Sequence, residues 1–306
     1  MQYIKGTLDF HITEPEVVTL GKFDGLHLGH KYLLQELEKG KKNGLKTVIF
    51  TFDIPPKSIH QNTYKVLSTN KEKEQIFENA GIDYVIECPF TDAFKHLDPR
   101  SFLLMLREKI CVKQIVAGKD FRFGCNRSGS YVDLIRYEQE LGYHAVIVDK
   151  IQYEGEDISS TRIRDLIHRG DLKTANYLLG YDYFLTAPVL HGNEIGRTLG
   201  FPTVNQLPDS EKLLPPNGVY ASRIRIGDQL YAGISNIGCK PTIAGTYPVG
   251  VETNIFDFHE NIYDKEIQVS FLEFIRPEQK FASLDALREQ IDRDRENVRK
   301  FFRSRD

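Results

Sequence analysis

Several absences narrow this 306-residue chain before any motif is read. Its four cysteines, Cys88, Cys111, Cys125 and Cys239, lie far apart and form no C-x-x-C pair, which argues against a zinc site or a disulfide framework and for reduced thiols. No run of 18 apolar residues occurs, and the first residues, MQYIKGTLDFHITEPE, lack the continuous apolar core of a secretory signal. A cytoplasmic protein with no membrane partner is the expectation. The 40 basic and 43 acidic residues leave a formal net charge of −3, so no basic excess points to nucleic acid, although local anion sites stay possible. Internal repeats and low-complexity linkers are missing too, and nothing in the composition settles the oligomeric state.

What is present is enough for two cores: 41% of the residues are hydrophobic, and the length exceeds that of a usual single domain. Residues 17–150 alternate short apolar runs (VVTL, KTVIFTF, DYVIEC, QIVAG, HAVIVD) with helix-period segments at 29–40, 70–80, 99–110 and 130–141, the grammar of an α/β domain with a parallel sheet. A further helix is expected over Thr161–Leu179, closed by Gly180. Beyond it the pattern turns to alternating residues punctuated by glycine and proline. Gly227-Asp228 between two such runs is a hairpin signal, ETNIFDF and EIQVSFLEFI add strands, and a small β-barrel follows. SLDALREQIDRDRENVRKFF closes the chain as a helix capped by Ser283, with Leu284, Leu287, Ile291, Val298, Phe301 and Phe302 on its packing side. The division is expected at 182/183, giving domains 1–182 and 183–306.

In a parallel sheet, ligands bind beyond the carboxyl ends of the strands, where GKFDGLHLGHK (21–31) and GKDFRFGCNRSG (118–129) both fall. A helix N-terminus carries partial positive charge, so a cation there costs about 0.3–1 kcal/mol. This chain puts His30 and Lys31 at the start of one helix and Arg162 and Arg164 at the start of another. Neither Ser160 nor Thr161 is followed three residues later by Glu or Gln, so no capping box accounts for the second start. A bound phosphate reconciles both. Backbone N–H groups, the hydroxyls of Ser160 and Thr161, and the Arg164 fork would hold it, and Gly25 and Gly29 would let the backbone come close. His27 and His30, three apart, could face the same oxygens. Taken singly, a histidine is more often structural and an arginine pair more often a solvated face. The combination is what points to an anion. The loop is neither a Walker A sequence nor G-x-G-x-x-G.

The second candidate lies in the β-rich half. In VETNIFDF (251–258), period two puts Glu252 on one face with Asn254, Phe256 and Phe258, and a carboxylate beside aromatic rings is desolvated, with a raised pKa suited to accepting a proton. An edge-strand charge is the plainer alternative. Upstream, HGNEIGRTLGFPTVNQ offers Gly192, Gly196 and Gly200 for close backbone approach and oxygens of Thr203 and Asn205 suited to Mg²⁺; read plainly it is a glycine-rich loop.

These residues carry a family resemblance. His27-Leu28-Gly29-His30 resembles the H-x-G-H signature of nucleotidyltransferases, and Ser159-Ser160-Thr161-Arg162-Ile163-Arg164 is similar to the S-S-T-x-I-R motif of bacterial FMN adenylyltransferases. GKDFRFG resembles that family's flavin-side segment, and GFPTVN (200–205), NGVYA (217–221) and SNIGCKPT (235–242) resemble stretches of riboflavin kinases. The resemblance covers nearly the whole chain. It implies a Rossmann-like nucleotidyltransferase domain before a barrel kinase domain, acting in turn on riboflavin and FMN with ATP and Mg²⁺ to give FAD. It also implies catalytic roles for His27 and His30, ATP-phosphate contacts at Gly25, Gly29, Ser160, Thr161, Arg164, Gly196, Gly200, Thr203 and Asn205, flavin contacts at Asp120 and Phe121, and Glu252 as base. The chain departs from the family at Thr51-Phe52-Asp53-Ile54-Pro55-Pro56, which lacks an expected histidine, and at Cys239-Lys240, where a small residue and Arg are expected. A nucleotidyltransferase with another acceptor and a flavin-binding regulatory protein remain the rival readings.

Overall fold

The computed structural model describes residues 1–52, 65–191, 201–239 and 249–304, which form two compact units, Met1–Ser160 and Thr161–Asp306. The first unit runs β1 (Gln2–Lys5), β2 (Ile12–Leu20), α1 (Leu28–Lys42), β3 (Lys46–Phe52), α2 (Asn70–Asn79), β4 (Tyr84–Cys88), α3 (Asp92–Lys95), α4 (Pro99–Lys109), β5 (Ile110–Gly118), β6 (Arg122–Phe123), β7 (Gly129–Ser130), α5 (Tyr131–Arg136), α6 (Glu138–Leu141), β8 (His144–Val148), β9 (Gln152–Tyr153) and β10 (Glu156–Asp157). Its main sheet has the order β1-β4-β3-β2-β5-β8, with every pairing parallel. Without β1 this is the doubly wound order, and the direction of winding reverses between β2 and β5. The crevice outside that reversal is where such sheets take ligands, and the two loops singled out above leave β2 and β5 there.

The apolar run Val17-Val18-Thr19-Leu20 is buried on both faces, as a central parallel strand requires. Val17 packs with Leu33 and Leu37 of α1 on one side, while Val18 and Leu20 join Phe102, Leu103 and Leu106 of α4 on the other. Burying each such side chain contributes roughly 1.5–3 kcal/mol. The segment 130–141 is two short helices, and β1 is an edge strand upstream of the alternation that begins at residue 17.

The second unit comprises α7 (Ser160–His168), whose first residue belongs to the first unit, α8 (Leu172–Leu179), β11 (Phe184–Pro188), β12 (Val204–Gln206), β13 (Gly218–Ile226), β14 (Gln229–Cys239), β15 (Val249–Ile255), β16 (Glu266–Arg276) and α9 (Leu284–Arg303). The single helix expected over 161–179 is broken: Gly170 takes φ 78°, and the Asp171 carboxylate caps a new helix by accepting from Thr174 N at 3.1 Å. Because α8 packs on β16, with the Asn176 amide donating to Phe271 O at 3.0 Å, this helix is part of the barrel's unit. By packing, the compact units meet at Ser160 and Thr161.

The barrel sheet is antiparallel throughout, in the order β11-β16-β13-β14-β15-β12. A bridge between Leu190 and Asn205 brings its two edges together, and the buried Gln206 amide donates to Ala187 O at 2.7 Å and Ile267 O at 3.0 Å across the seam. The β13–β14 hairpin turns at Gly227-Asp228 as expected, with Ile226 facing Gln229. In α9, Ser283 caps the start and Val298, Phe301 and Phe302 pack on the sheet, but Leu284 is exposed. An ion pair deepens that contact: buried Asp294 holds Arg276 of β16 at 2.7 Å.

Candidate active sites

In the first unit, α2, α3, α4 and α5 all have side-chain caps, from Thr69, Thr91, Asp98 and Ser130. Helix α1 has none: its N-cap is His27, no side chain caps it and no acid lies in its first turn. The N–H groups of His30 and Lys31 turn back to His27 O at 2.8 and 3.1 Å, and the positive dipole end is of the kind that suits an anion. The loop leading to it is held in a costly shape. Gly25 takes φ 82° without penalty, but buried Phe23 (φ 49°) and Leu26 (φ 32°) also have positive φ, each costing on the order of 1–3 kcal/mol.

That shape brings two rings together. His27 and His30 stack with centroids 3.8 Å apart and planes 22° apart, and Phe23 backs His30 at 5.1 Å. His30 Nδ1 is buried and meets no partner among the described residues. Desolvation, and secondarily the charge of His27, holds the His30 pKa well below its ordinary 6.5, so the ring is neutral at pH 7. Burial also lowers Lys31. Gly29 acts on this pair sterically: a Cβ there would come within 3.1 Å of His27 Nδ1. The start of α7 is anchored to the same loop, since the Ser160 hydroxyl donates to Asp24 O at 2.9 Å. Thr161 and Arg164 follow in that helix, again with no acid in the first turn.

Beyond β5, Phe121 N donates to Gly118 O at 2.9 Å, and the mostly exposed Asp120 has the Lys150 ammonium 3.7 Å away. Phe121 stacks on Phe123 at 5.5 Å with planes 13° apart. Phe123 leads on to Phe102, Phe94, Phe90 and Phe52, a line of rings with successive centroids 5.5–5.9 Å apart. Asp53, Ile54, Pro55 and Pro56 lie outside the described residues.

In the barrel, Asn205 of β12, Glu252 of β15 and Asn236 of β14 form one cross-strand row. The Thr203 hydroxyl donates to Glu252 Oε1 at 2.6 Å. Glu252 is half-buried, and the expected setting among aromatic rings needs correction. Phe256 packs against α9, Asp257 at φ 55° ends the alternation, and Phe258 instead lines a neighbouring cavity. That cavity, about 360 Å³, is bounded by Pro202, Thr203, Val204, Ile255, Phe258 and Tyr263, among others. Gly192, Gly196, Gly200 and Lys240 lie outside the described residues.

Two family models match: one described as FAD synthetase over residues 9–162, and one described as riboflavin kinase over residues 179–302. A bifunctional riboflavin kinase/FMN adenylyltransferase of Listeria monocytogenes is 35% identical over 94% of this chain and 92% of its own length. The chain belongs to the bifunctional riboflavin kinase/FMN adenylyltransferase family. An Escherichia coli K12 member is 36% identical over the same shares. A solved Streptococcus pneumoniae structure titled as a macrolide-efflux protein is 33% identical, covers 97% of this chain and 98% of that one, and has a TM-score of 0.87. Among the described residues, no helix is long and apolar enough to cross a membrane.

For this member of the riboflavin kinase/FMN adenylyltransferase family, the geometry adds residues that motif reading passed over. Asp24 is buried and accepts from Leu67 N at 2.9 Å and Ser68 N at 3.0 Å, fixing the histidine loop against a segment 43 residues away. Only its place inside GKFDG hinted at it. Asn254 likewise ties two segments, its amide reaching Pro202 O.

Proposed function

We propose that the first unit adenylylates FMN at the α1 N-terminus and that the barrel phosphorylates riboflavin beside Glu252. The protein would thus take riboflavin through FMN to FAD, in the cytoplasm, with the working boundary between activities at 182/183; the family models match residues 9–162 and 179–302. The observation that carries this reading is a difference in proton handling. The Thr203–Glu252 pair offers a carboxylate at 2.6 Å from a hydroxyl, whereas the His27–His30 pair offers stacked rings, with His30 held neutral by burial.

The two acceptors need just that. The FMN phosphate is already an anion, so its oxygen attacks the α-phosphorus of ATP and pyrophosphate leaves without any proton being removed. The protein's part is alignment and relief of charge. His27 and His30 do this with ring N–H groups, helped by the α1 N-terminus, Gly25, Gly29 and Ser160; the S-S-T-x-I-R resemblance gives Thr161 and Arg164 the role of ATP-phosphate contacts as well. Asp120, Phe121 and the ring line behind them receive the flavin, whose flat apolar system suits stacked phenylalanines. Riboflavin's terminal hydroxyl is neutral, so as its oxygen attacks the γ-phosphorus its proton must go somewhere, and Glu252 takes it.

The oxygen donors at Thr203 and Asn205, next to Glu252, are of the hard type Mg²⁺ prefers, and the Thr203 hydroxyl keeps its lone pairs free while it donates to Glu252. Thr203 and Asn205 would hold the ion, which supplies neutralisation of phosphate charge when bound. The glycines Gly196 and Gly200 complete the phosphate grip in this proposal, and the cavity beside Thr203 receives the rest of the nucleotide.

The test is direct. Incubation with riboflavin, ATP and Mg²⁺, followed by separation of the flavins, should yield FMN and then FAD, and chelation of Mg²⁺ should stop both. FAD from supplied FMN without any FMN from riboflavin would leave only the first half standing, and tight FMN binding without ATP consumption would sink both.

A further inference from the structure

The ladder between β12 and β15 stops at Val204 and Thr253. One step further, where Thr203 would face Asn254, a side chain takes over: Asn254 Nδ2 donates to Pro202 O at 2.8 Å. A peptide carbonyl can only accept, so the amide nitrogen must face Pro202, and the orientation of the amide is settled by chemistry. Its Oδ1 is then turned away, buried, and meets no donor among the described residues. Asn254 is only 6% exposed. An apolar side chain of like shape would avoid that unmatched acceptor, so packing alone does not explain an asparagine here.

The hydrogen bond does explain it. Pro202 O belongs to the peptide group that carries Thr203 N, so holding the carbonyl holds that peptide plane and, with it, the direction in which Thr203 leaves the chain. Glu252 and Asn254 stand two apart on one face of β15. One grips the Thr203 hydroxyl at 2.6 Å and the other the preceding carbonyl at 2.8 Å. Pro202 contributes no backbone N–H of its own to anchor the segment. Both Pro202 and Thr203 also line the cavity of about 360 Å³.

We infer that Asn254 is a positioning residue for riboflavin phosphorylation: it clamps the Pro202–Thr203 peptide so that the Thr203 hydroxyl stays aligned between Glu252 and the phosphates. This rests on the assignment of kinase chemistry to the Thr203–Glu252 pair. The consequence is a kcat effect without a comparable KM effect, because the flavin itself need not touch Asn254.

Three variants of the full chain test it. Asn254→Asp keeps the shape but sets an acceptor against Pro202 O. Asn254→Leu branches at the same carbon, removes the hydrogen bond and removes the unmatched acceptor. Asn254→His restores a donor, its Nδ1 lying as far along the side chain as the asparagine nitrogen. The Asp and Leu variants should form FMN with kcat lowered about 10–100-fold and riboflavin KM changed by less than about threefold, while His recovers to within about fivefold of wild type. The Leu variant should melt no lower than wild type, which separates loss of alignment from loss of fold. Wild-type kcat in the Leu variant, kcat that simply follows melting temperature across the three, or a His variant as slow as Asp would each overturn the inference. If Glu252→Gln also phosphorylated riboflavin normally, the parent assignment, rather than the role of Asn254 alone, would have failed.

Discussion

The β2–α1 loop and the β12–β15 edge are both assigned to polyphosphate, yet they are built on opposite plans. The first is a strained loop feeding an uncapped helix, with its carboxylate, Asp24, spent on the backbone N–H groups of Leu67 and Ser68. The second is a regular antiparallel edge whose carboxylate, Glu252, is left half-exposed with a hydroxyl against it. On the proposed roles, the contrast ties the residue types at each site to the protonation state of the acceptor more than to the shared nucleotide. Where the nucleophile arrives as an anion, carboxylates are kept away as scaffold. Where it arrives as an alcohol, one is kept available.

The sharpest way to break this contrast is Glu252→Gln, which keeps shape and hydrogen bonding but removes the base. FMN formation from riboflavin should fall on the order of 10³-fold, with adenylylation of supplied FMN unchanged. A fall in both rates alike would mean the carboxylate serves the fold rather than the chemistry. The mirror experiment, His30→Ala, should lower FAD formation from FMN about 10²–10³-fold while FMN formation persists. Should FAD appear at the normal rate, the stacked pair has no part in charge relief.

A third experiment concerns a carboxylate that belongs to neither site. Glu16 in β2 is fully buried, its two oxygens meet no partner among the described residues, and burial, with the charge of Glu14 adding, pushes its carboxyl up to about 8. Lys46, its register neighbour, has Glu14 3.7 Å away instead. In the unfolded chain the group would titrate near 4.5. The folded state therefore keeps a proton that the unfolded state has lost between about pH 4.5 and 8. Stability is full at the acid end of that window and falls by about 1.4 kcal/mol per pH unit as pH rises through it. Glu16→Gln removes the dependence and should stabilise the first unit by on the order of 2–4 kcal/mol at pH 7.5, with both activities intact at low temperature. Thermal scans at pH 5.5 and 7.5 decide it: a variant melting below wild type at pH 7.5 would show that the buried acid is needed as an acid.

Much of this was readable in advance, and what was not has a common cause. The four central strands, β2, β3, β4 and β5, announced themselves because two-sided burial demands unbroken apolar runs such as Val17–Leu20, and the edge strand β8 carries the apolar run HAVIV, whereas β1, QYIK, is half-exposed at the other sheet edge and short. The His27–His30 loop stood out because cations at a helix start contradict electrostatics unless an anion arrives. Asp24 and Asn254 did not stand out, since each acts through a hydrogen bond to a chain segment 43 and 52 residues away, and periodicity reports only on neighbours. The failure at Phe258 is of the same kind: alternation holds through β15 and breaks at Asp257, whose positive φ no local pattern required. The setting of Glu252 is illegible locally for the same reason: the residue against it, Thr203, comes from another strand's approach.

The smallest expected effect gives the most discriminating test of the first site. At Gly29 an added Cβ would sit 3.1 Å from His27 Nδ1 and 3.2 Å from Cε1, closer than the ring can tolerate without moving a few tenths of an ångström. That ring stacks on His30 at 3.8 Å, so the shift passes to the pair. Alanine is also the better helix former by up to about 1 kcal/mol, and Gly29 lies within α1 without needing a left-handed backbone, so Gly29→Ala should not weaken the fold. A variant at least as stable as wild type, making FAD about tenfold more slowly and FMN at the normal rate, is the expected outcome. Melting curves and the two assays on one preparation check it. Were FAD formation unchanged, His27 would have room to spare, and the glycine between the histidines would serve the approach of the phosphate alone.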